Sequence, residues 1–203
     1  MIIGFNEYKN KYDFSNVNGV IHVGAHFGQE YDEYQEFFNQ PKIHWFEPQK
    51  EVYETLKNNL ETKPNNNFYN YGLGSKSELK QMWDSSNEGQ SASFSRPVKH
   101  VEIYPHINFV PSEILEIRTL DSFQITDSNV LVLDVQGFEL EVLKGSPETL
   151  KLIDHIFCEI NSIEMYEGCP TLSELCDFLS EHGFLLRENW WTDGNWGDGY
   201  WSK

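Results

Sequence analysis

Val20-Ile21-His22-Val23-Gly24-Ala25-His26-Phe27-Gly28-Gln29-Glu30 joins an apolar run to a glycine-punctuated turn. Val20, Ile21 and Val23 suit a parallel strand covered on both faces, which places a first strand at 19–23. Gly24 and Gly28 permit a sharp turn and let a ligand approach bare backbone. The helix expected next offers unpaired N–H groups and the positive end of its dipole. A strand, a glycine turn and a helix near the start of an α/β chain are the usual cradle of a nucleotide-like cofactor. The spacing is G-x-x-x-G, not the dinucleotide fingerprint G-x-G-x-x-G, whose middle glycine admits a pyrophosphate. An ordinary βα turn would read the same way, so the rest of the chain has to decide.

Outward from this unit, strands and helices alternate. The spacing predicts a helix over 28–39, a strand at 43–46, a helix over 50–60 and a strand at 68–71 that ends in Gly72-Leu73-Gly74. Residues 77–84 and 113–119 alternate like strands. Between them, 85–112 is polar and proline-containing without clear periodicity, and is expected to form a mobile lid carrying Ser93, His100 and His106. Val130-Leu131-Val132-Leu133-Asp134-Val135 is the strongest buried-strand signal. A helix from Phe138 to the Gly145 cap, a turn over 146–152 and a strand at 153–160 follow. A helix over 171–182 opens on a Thr171/Glu174 capping box, and a hairpin closes the chain. Residues 1–17 read as a short lead-in. The expected architecture is α/β, doubly wound, with a mostly parallel sheet and a terminal antiparallel hairpin.

At 203 residues, one domain spanning 1–203 is expected. With 39% hydrophobic and 23% charged residues the composition is that of a soluble globular protein. No apolar run approaches the roughly 18 residues of a membrane span, and Met1 to Glu7 lacks the features of a secretory signal. A net charge of −17 argues against a nucleic-acid duplex or an anionic membrane as main partner. Three cysteines, Cys158, Cys169 and Cys176, without C-x-x-C fit reduced thiols in a cytoplasm.

In such a sheet, ligands sit beyond the carboxyl ends of the strands. The polar residues at those ends are His26, Glu47, Asp134, Gln136, Glu159 and Asn161. Glu47 follows the glycine turn by about 20 residues, where an acid can accept both ribose hydroxyls of NAD or of S-adenosylmethionine. Asp134 ends the most apolar strand, where a carboxylate is paired, functional or a helix cap. The histidines show no H-E-x-x-H and no tight Cys/His spacing, so no metal is expected. No G-x-S-x-G elbow supports Ser-His-Asp hydrolysis. Trp190, Trp191, Trp196 and Trp201 crowd the end of the chain, and hairpin packing explains them better than a sugar-stacking surface.

With these residues in view, the chain resembles the FkbM family of S-adenosylmethionine-dependent methyltransferases. The resemblance rests on the Val20–Glu30 unit, Trp45-Phe46-Glu47-Pro48, Tyr71-Gly72-Leu73-Gly74-Ser75, Arg118-Thr119-Leu120-Asp121-Ser122-Phe123, the run from Leu131 to Gly145, and Glu159-Ile160-Asn161. Trp196-Gly197-Asp198-Gly199-Tyr200 is similar to the family's closing hairpin. The run from Asp134 to Gly145 is the most specific part.

The resemblance implies a seven-stranded class I methyltransferase fold and methylation of a hydroxyl, often on a sugar or a sugar-bearing molecule. It implies that Gly24, Ala25, His26, Gly28 and Glu30 cradle the methionine end of the cofactor. Glu47 and Pro48 would face the ribose, Gly72 and Leu73 the adenine neighbourhood, and Asp134 the reactive centre. Asp134 and His100 are the candidate catalytic residues. Ser93, His106, Gln136, Glu159 and Asn161 are the candidate acceptor contacts. His22 departs from the pattern, because many class I enzymes carry there an acid that helps to position the methionine ammonium. A nicotinamide oxidoreductase, disfavoured by the glycine spacing, and a non-catalytic carbohydrate-binding module remain as alternatives.

Overall fold

The computed structural model describes Tyr8, residues 11–192 and residues 194–203. Its main sheet has seven strands. They are β1 (Gly19–Val23), β2 (Lys42–Phe46), β3 (Asn66–Tyr69), β7 (Val130–Leu133), β8 (His155–Asn161), β9 (Leu185–Trp191) and β10 (Trp196–Ser202). Their order across the sheet is β3-β2-β1-β7-β8-β10-β9. The first three, with β7 and β8, run parallel; β10 is antiparallel to both β8 and β9. The chain winds outward from β1 to β3, then returns to the other side of β1 as β7. The order therefore reverses between β1 and β7, and a crevice opens there beyond the strand ends.

All residues of β1 and β7 are buried because both faces of these strands are covered. Side chains alternate across the sheet. Ile21, Val23, Leu131 and Leu133 join one core with Ile156, Leu175 and Trp201. Val20, Val130 and Val132 join the other with Trp45, Tyr34 and Tyr200. The lead-in adds Tyr8 and Phe14 to this second core, with Tyr8 edge-on to Phe157 and Trp190. Residues 1–7, 9 and 10 of the expected lead-in lie outside the described residues.

The helices are α1 (Tyr31–Phe37), α2 (Lys50–Leu60), α3 (His100–Ile103), α4 (Glu139–Lys144), α5 (Pro147–Leu150) and α6 (Leu172–Glu181). The first begins three residues later than its apolar spacing suggests, since Gly28 has φ 73° and still belongs to the turn. It also stops early, at left-handed Asn39 and Gln40. The α6 capping box is complete: the Glu174 N–H donates to Thr171 Oγ1 at 3.2 Å and the Thr171 N–H to Glu174 Oε2 at 2.8 Å.

Between β3 and β7 the chain leaves the main sheet. It forms a second sheet of β4 (Gly72–Leu73), β5 (Glu78–Ser85) and β6 (Phe109–Arg118), in the order β4-β6-β5. The stretch expected as an irregular lid over 85–112 is therefore shorter and more ordered. Its last residues extend β6, which Pro111 and a solvent-exposed surface hide from alternation. Its middle carries α3, and the Ser93 and Trp83 backbones pair reciprocally at 2.8 and 3.0 Å.

Candidate active site

One cavity of about 540 Å³ occupies the crevice, a volume within the usual range for small-molecule sites. Its floor is the turn after β1, where Gly24 has φ 83° and any side chain would strike the Asp134 carbonyl. Among the residues singled out from sequence, Gly28 alone does not line it. A side chain at Gly28 would meet the Leu56 and Leu60 methyl groups, so this glycine seats the turn against α2.

Glu47 stands on the next strand end, 5% exposed. Its Oε2 accepts the His26 N–H at 3.0 Å and its Oε1 the Gln49 N–H at 2.9 Å. Burial pushes its carboxyl up to about 7 against the pull of these two bonds. Each oxygen keeps a lone pair that a cavity ligand can use. Asn70 bonds the Glu47 and Pro48 carbonyls at 2.9 Å and ties this corner to the turn before Gly72 and Leu73.

His26, at φ 45°, reaches the opposite way. Its Nε2 lies 2.9 Å from the Glu88 carbonyl and its Nδ1 2.9 Å from Gln29 Nε2, so the proton belongs on Nε2. This pins the loop around Gly89 across the mouth of the cavity.

Gln136, left-handed at φ 54°, is the hub of the central wall. Its Nε2 donates to Asp134 Oδ1 at 2.9 Å and to Glu159 Oε2 at 2.6 Å. The Tyr166 hydroxyl sits 2.8 Å from Gln136 Oε1 and 3.0 Å from the Ser91 carbonyl. Burial first, then the charges of Asp134 and Glu139, pushes the Glu159 carboxyl well above the carboxylate range. The pair thus keeps its proton on Glu159 and its charge on Asp134. Glu139, fully buried, accepts the Val135 and Gly137 N–H groups at 3.3 and 3.0 Å and fixes the turn that carries Gln136. Ser93 lines the cavity, but its hydroxyl donates to the Gln136 carbonyl at 2.7 Å.

The remaining wall comes from α3, its flanks and β10. His100, 5% exposed, packs among Tyr104, Phe109 and Tyr166 at ring distances of 5.0, 4.9 and 5.4 Å. Burial holds its imidazole below the ordinary value, and its buried Nδ1 has no partner among the described residues. His106 joins the same wall, and Trp196 Nε1 donates to the Tyr104 hydroxyl at 3.0 Å. Asn161 reaches Glu159 with its Nδ2 at 3.4 Å, while its Oδ1 is buried without a partner among the described residues. Trp201 is buried core, but Trp196 is cavity wall, so hairpin packing explains only part of the tryptophan cluster.

Tyr104 and Tyr166 carried no sequence signal, since each lies in an irregular segment or at a helix boundary. Glu139, in the first turn of α4, is fully buried. Among the described residues, no group of three or more His, Cys, Asp or Glu is arranged to hold a metal ion. Among them, too, no helix is long and apolar enough to cross a membrane.

The sheet order, the crevice at its reversal and the acid on the second strand define a class I methyltransferase fold. Solved structures agree on the fold. A SAM-dependent methyltransferase from Aquifex aeolicus superposes at TM-score 0.54 and 11% identity, over 97% of this chain and 87% of that one. Aeropyrum pernix fibrillarin, crystallised with natively bound S-adenosyl-L-methionine, superposes at TM-score 0.53 and 11% identity, over 94% and 68%. The methyltransferase FkbM domain matches residues 22–186, and the chain belongs to that family of S-adenosylmethionine-dependent methyltransferases. A relative in Sinorhizobium fredii, the 2-O-methyltransferase NoeI, is 22% identical over 79% of this chain and 70% of its own length. Membership leaves the nicotinamide alternative without support.

The residues present fit the cofactor. Gly24 leaves bare backbone, Glu47 keeps acceptors for hydroxyls, and the charge on Asp134 suits a cationic group.

Proposed function

We propose that this methyltransferase acts on a hydroxyl of a saccharide or a sugar-bearing small molecule, with His100 as the base. One observation carries the reading. A single cavity runs from Gly24 and Glu47 to a wall of His100, Tyr104, His106 and Trp196, and the buried His100 Nδ1 is unpartnered among the described residues. The name of the Sinorhizobium relative supports oxygen as the acceptor atom.

S-adenosylmethionine, when bound, supplies a methyl group on a sulfonium centre. Glu47 holds the ribose hydroxyls, the turn from Gly24 to Glu30 holds the methionine end, and Pro48, Gly72 and Leu73 border the adenine. Asp134, held by Gln136, places a fixed negative charge beside the reacting centre. It is a poor base, because its charge is shared with the Glu159 proton and the Gln136 amide.

His100 suits the task better. Burial keeps it neutral near pH 7, so its imidazole can take the acceptor proton. The Tyr104 and Trp196 rings suit the C–H faces of a sugar. Asn161 Oδ1 can accept from a neighbouring hydroxyl, and His106 borders the entrance. Ser93 and Gln136 act through the wall they stiffen. Most of the acceleration then comes from holding the acceptor oxygen in line with the methyl.

The test is methyl transfer from labelled cofactor to a panel of oligosaccharides, catechols and amines. Label in an alkali-stable sugar ether supports the reading. Label on nitrogen or on a catechol alone, or sugar binding without turnover, refutes it.

A further inference from the structure

Position 22 in this chain cannot provide a negative charge. His22 is 3% exposed, and its Nδ1 is 3.0 Å from the Tyr34 hydroxyl. Burial lowers its imidazole below the ordinary value, so it is neutral. An ammonium group entering the cavity still needs a carboxylate, because a cation in a low-dielectric site is costly without one.

The nearby acids divide clearly. Glu47 accepts two backbone N–H groups one strand away from the turn. Asp134 and Glu159 are bridged by Gln136. Glu139 also has an unpartnered Oε2 among the described residues, but its Oε1 holds its own turn and the residue does not line the cavity. Glu30 is different. Like Asp134 and Glu159, it lines the main cavity and a small adjoining one that His22 and Asp198 border, but among the described residues no side chain bridges it to another acid. It stands at the N-cap of α1 but makes no side-chain capping bond. Its Oε2 is shut from solvent and has no partner among the described residues. Asn161, 3% exposed, adds a second unpartnered buried oxygen, Oδ1, to the same lining. Residues that line the cavity therefore carry buried acceptors that the chain itself leaves unsatisfied, as expected where a ligand brings donors.

We propose that the Glu30 carboxylate receives the ammonium of the cofactor's methionine end, taking the task that His22 leaves undone. The inference rests on the S-adenosylmethionine reading above.

Calorimetry with two ligands tests it without turnover. S-adenosylhomocysteine carries the ammonium; 5′-methylthioadenosine shares the adenosine and thioether but lacks the amino-acid head. Glu30→Gln keeps the side-chain length and breaks no cap, so the free protein should melt as the wild type does. S-adenosylhomocysteine should bind the variant about tenfold more weakly or worse, the loss of one charge-assisted bond. Binding of 5′-methylthioadenosine should be unchanged.

Desamino-S-adenosylhomocysteine closes the cycle: it should bind wild type as weakly as the variant, and the variant no worse. Equal weakening of both main ligands, or unchanged S-adenosylhomocysteine affinity, overturns the assignment while the cofactor reading stands. A wild-type protein that binds neither ligand overturns both.

Discussion

Replacing Glu47 by Gln exposes the cost of burying this carboxylate. The free carboxyl titrates at 4.5 and burial pushes it up to about 7 in the folded chain. Between those values the folded state holds a proton that the unfolded state has released. The stabilising contribution is thus full below 4.5 and lost as pH rises through about 7. At 1.36 kcal/mol per pKa unit, the loss across this window is about 3 kcal/mol. The neutral amide of the Glu47→Gln variant carries no such penalty. It presents one oxygen to two N–H donors and so forfeits one bond, about 1–3 kcal/mol, at every pH. Urea unfolding of both proteins from pH 4.5 to 8 should show the variant clearly less stable at the acid end. The gap should close by about 3 kcal/mol toward pH 8. In the wild type, S-adenosylhomocysteine affinity should rise over the same range, because ribose hydroxyls donate best to the charged carboxylate. Parallel stability curves and a pH-independent affinity would refute the reasoning.

Gly24→Ala forces a side chain into a left-handed residue and onto the Asp134 carbonyl. It should cost more than about 2 kcal/mol and abolish cofactor binding, read by melting temperature and calorimetry. Thr171→Ala removes the α6 cap while leaving the Thr171 backbone in place, and should cost about 1 kcal/mol in urea unfolding. The loop around Gly89, held by the His26–Glu88 bond, should exchange its amide hydrogens faster in His26→Ala than in wild type. Cofactor plus acceptor should slow that exchange in both proteins, as a closing lid requires; exchange that ligands leave unchanged would make the loop a fixed wall.

Much of this arrangement is legible in the amino-acid sequence. Local signals are strong where one face or both faces of an element are buried: β1, β2, α2 and α6 fall at their expected places. The rule that ligands gather at strand ends brings His26, Glu47, Asp134, Gln136, Glu159 and Asn161 to one cavity. What escapes is set by contacts distant in sequence. Trp196 reaches the cavity because β10 pairs with β8 and puts it opposite Asn161. Tyr104 arrives on an excursion with no periodicity, and β6 is longer than its alternation because most of its residues face solvent. Glu139 stands in the first turn of α4, yet it is fully buried and accepts the Val135 and Gly137 N–H groups. Gly28 looks like a ligand glycine but serves packing against α2. The tertiary environment, not the residue type, separates such pairs.

The claim at the centre of this account is that His100 takes the proton of a hydroxyl acceptor during methyl transfer. The pH dependence of kcat/KM for wild type and His100→Gln, with a sugar acceptor, measures it directly. Burial lowers this imidazole, so the wild-type acid limb should fall below the ordinary value of 6.5. The variant should lose that limb and about 10²–10⁴ in rate, while binding S-adenosylhomocysteine normally. A variant that keeps both the limb and the wild-type rate would contradict the claim.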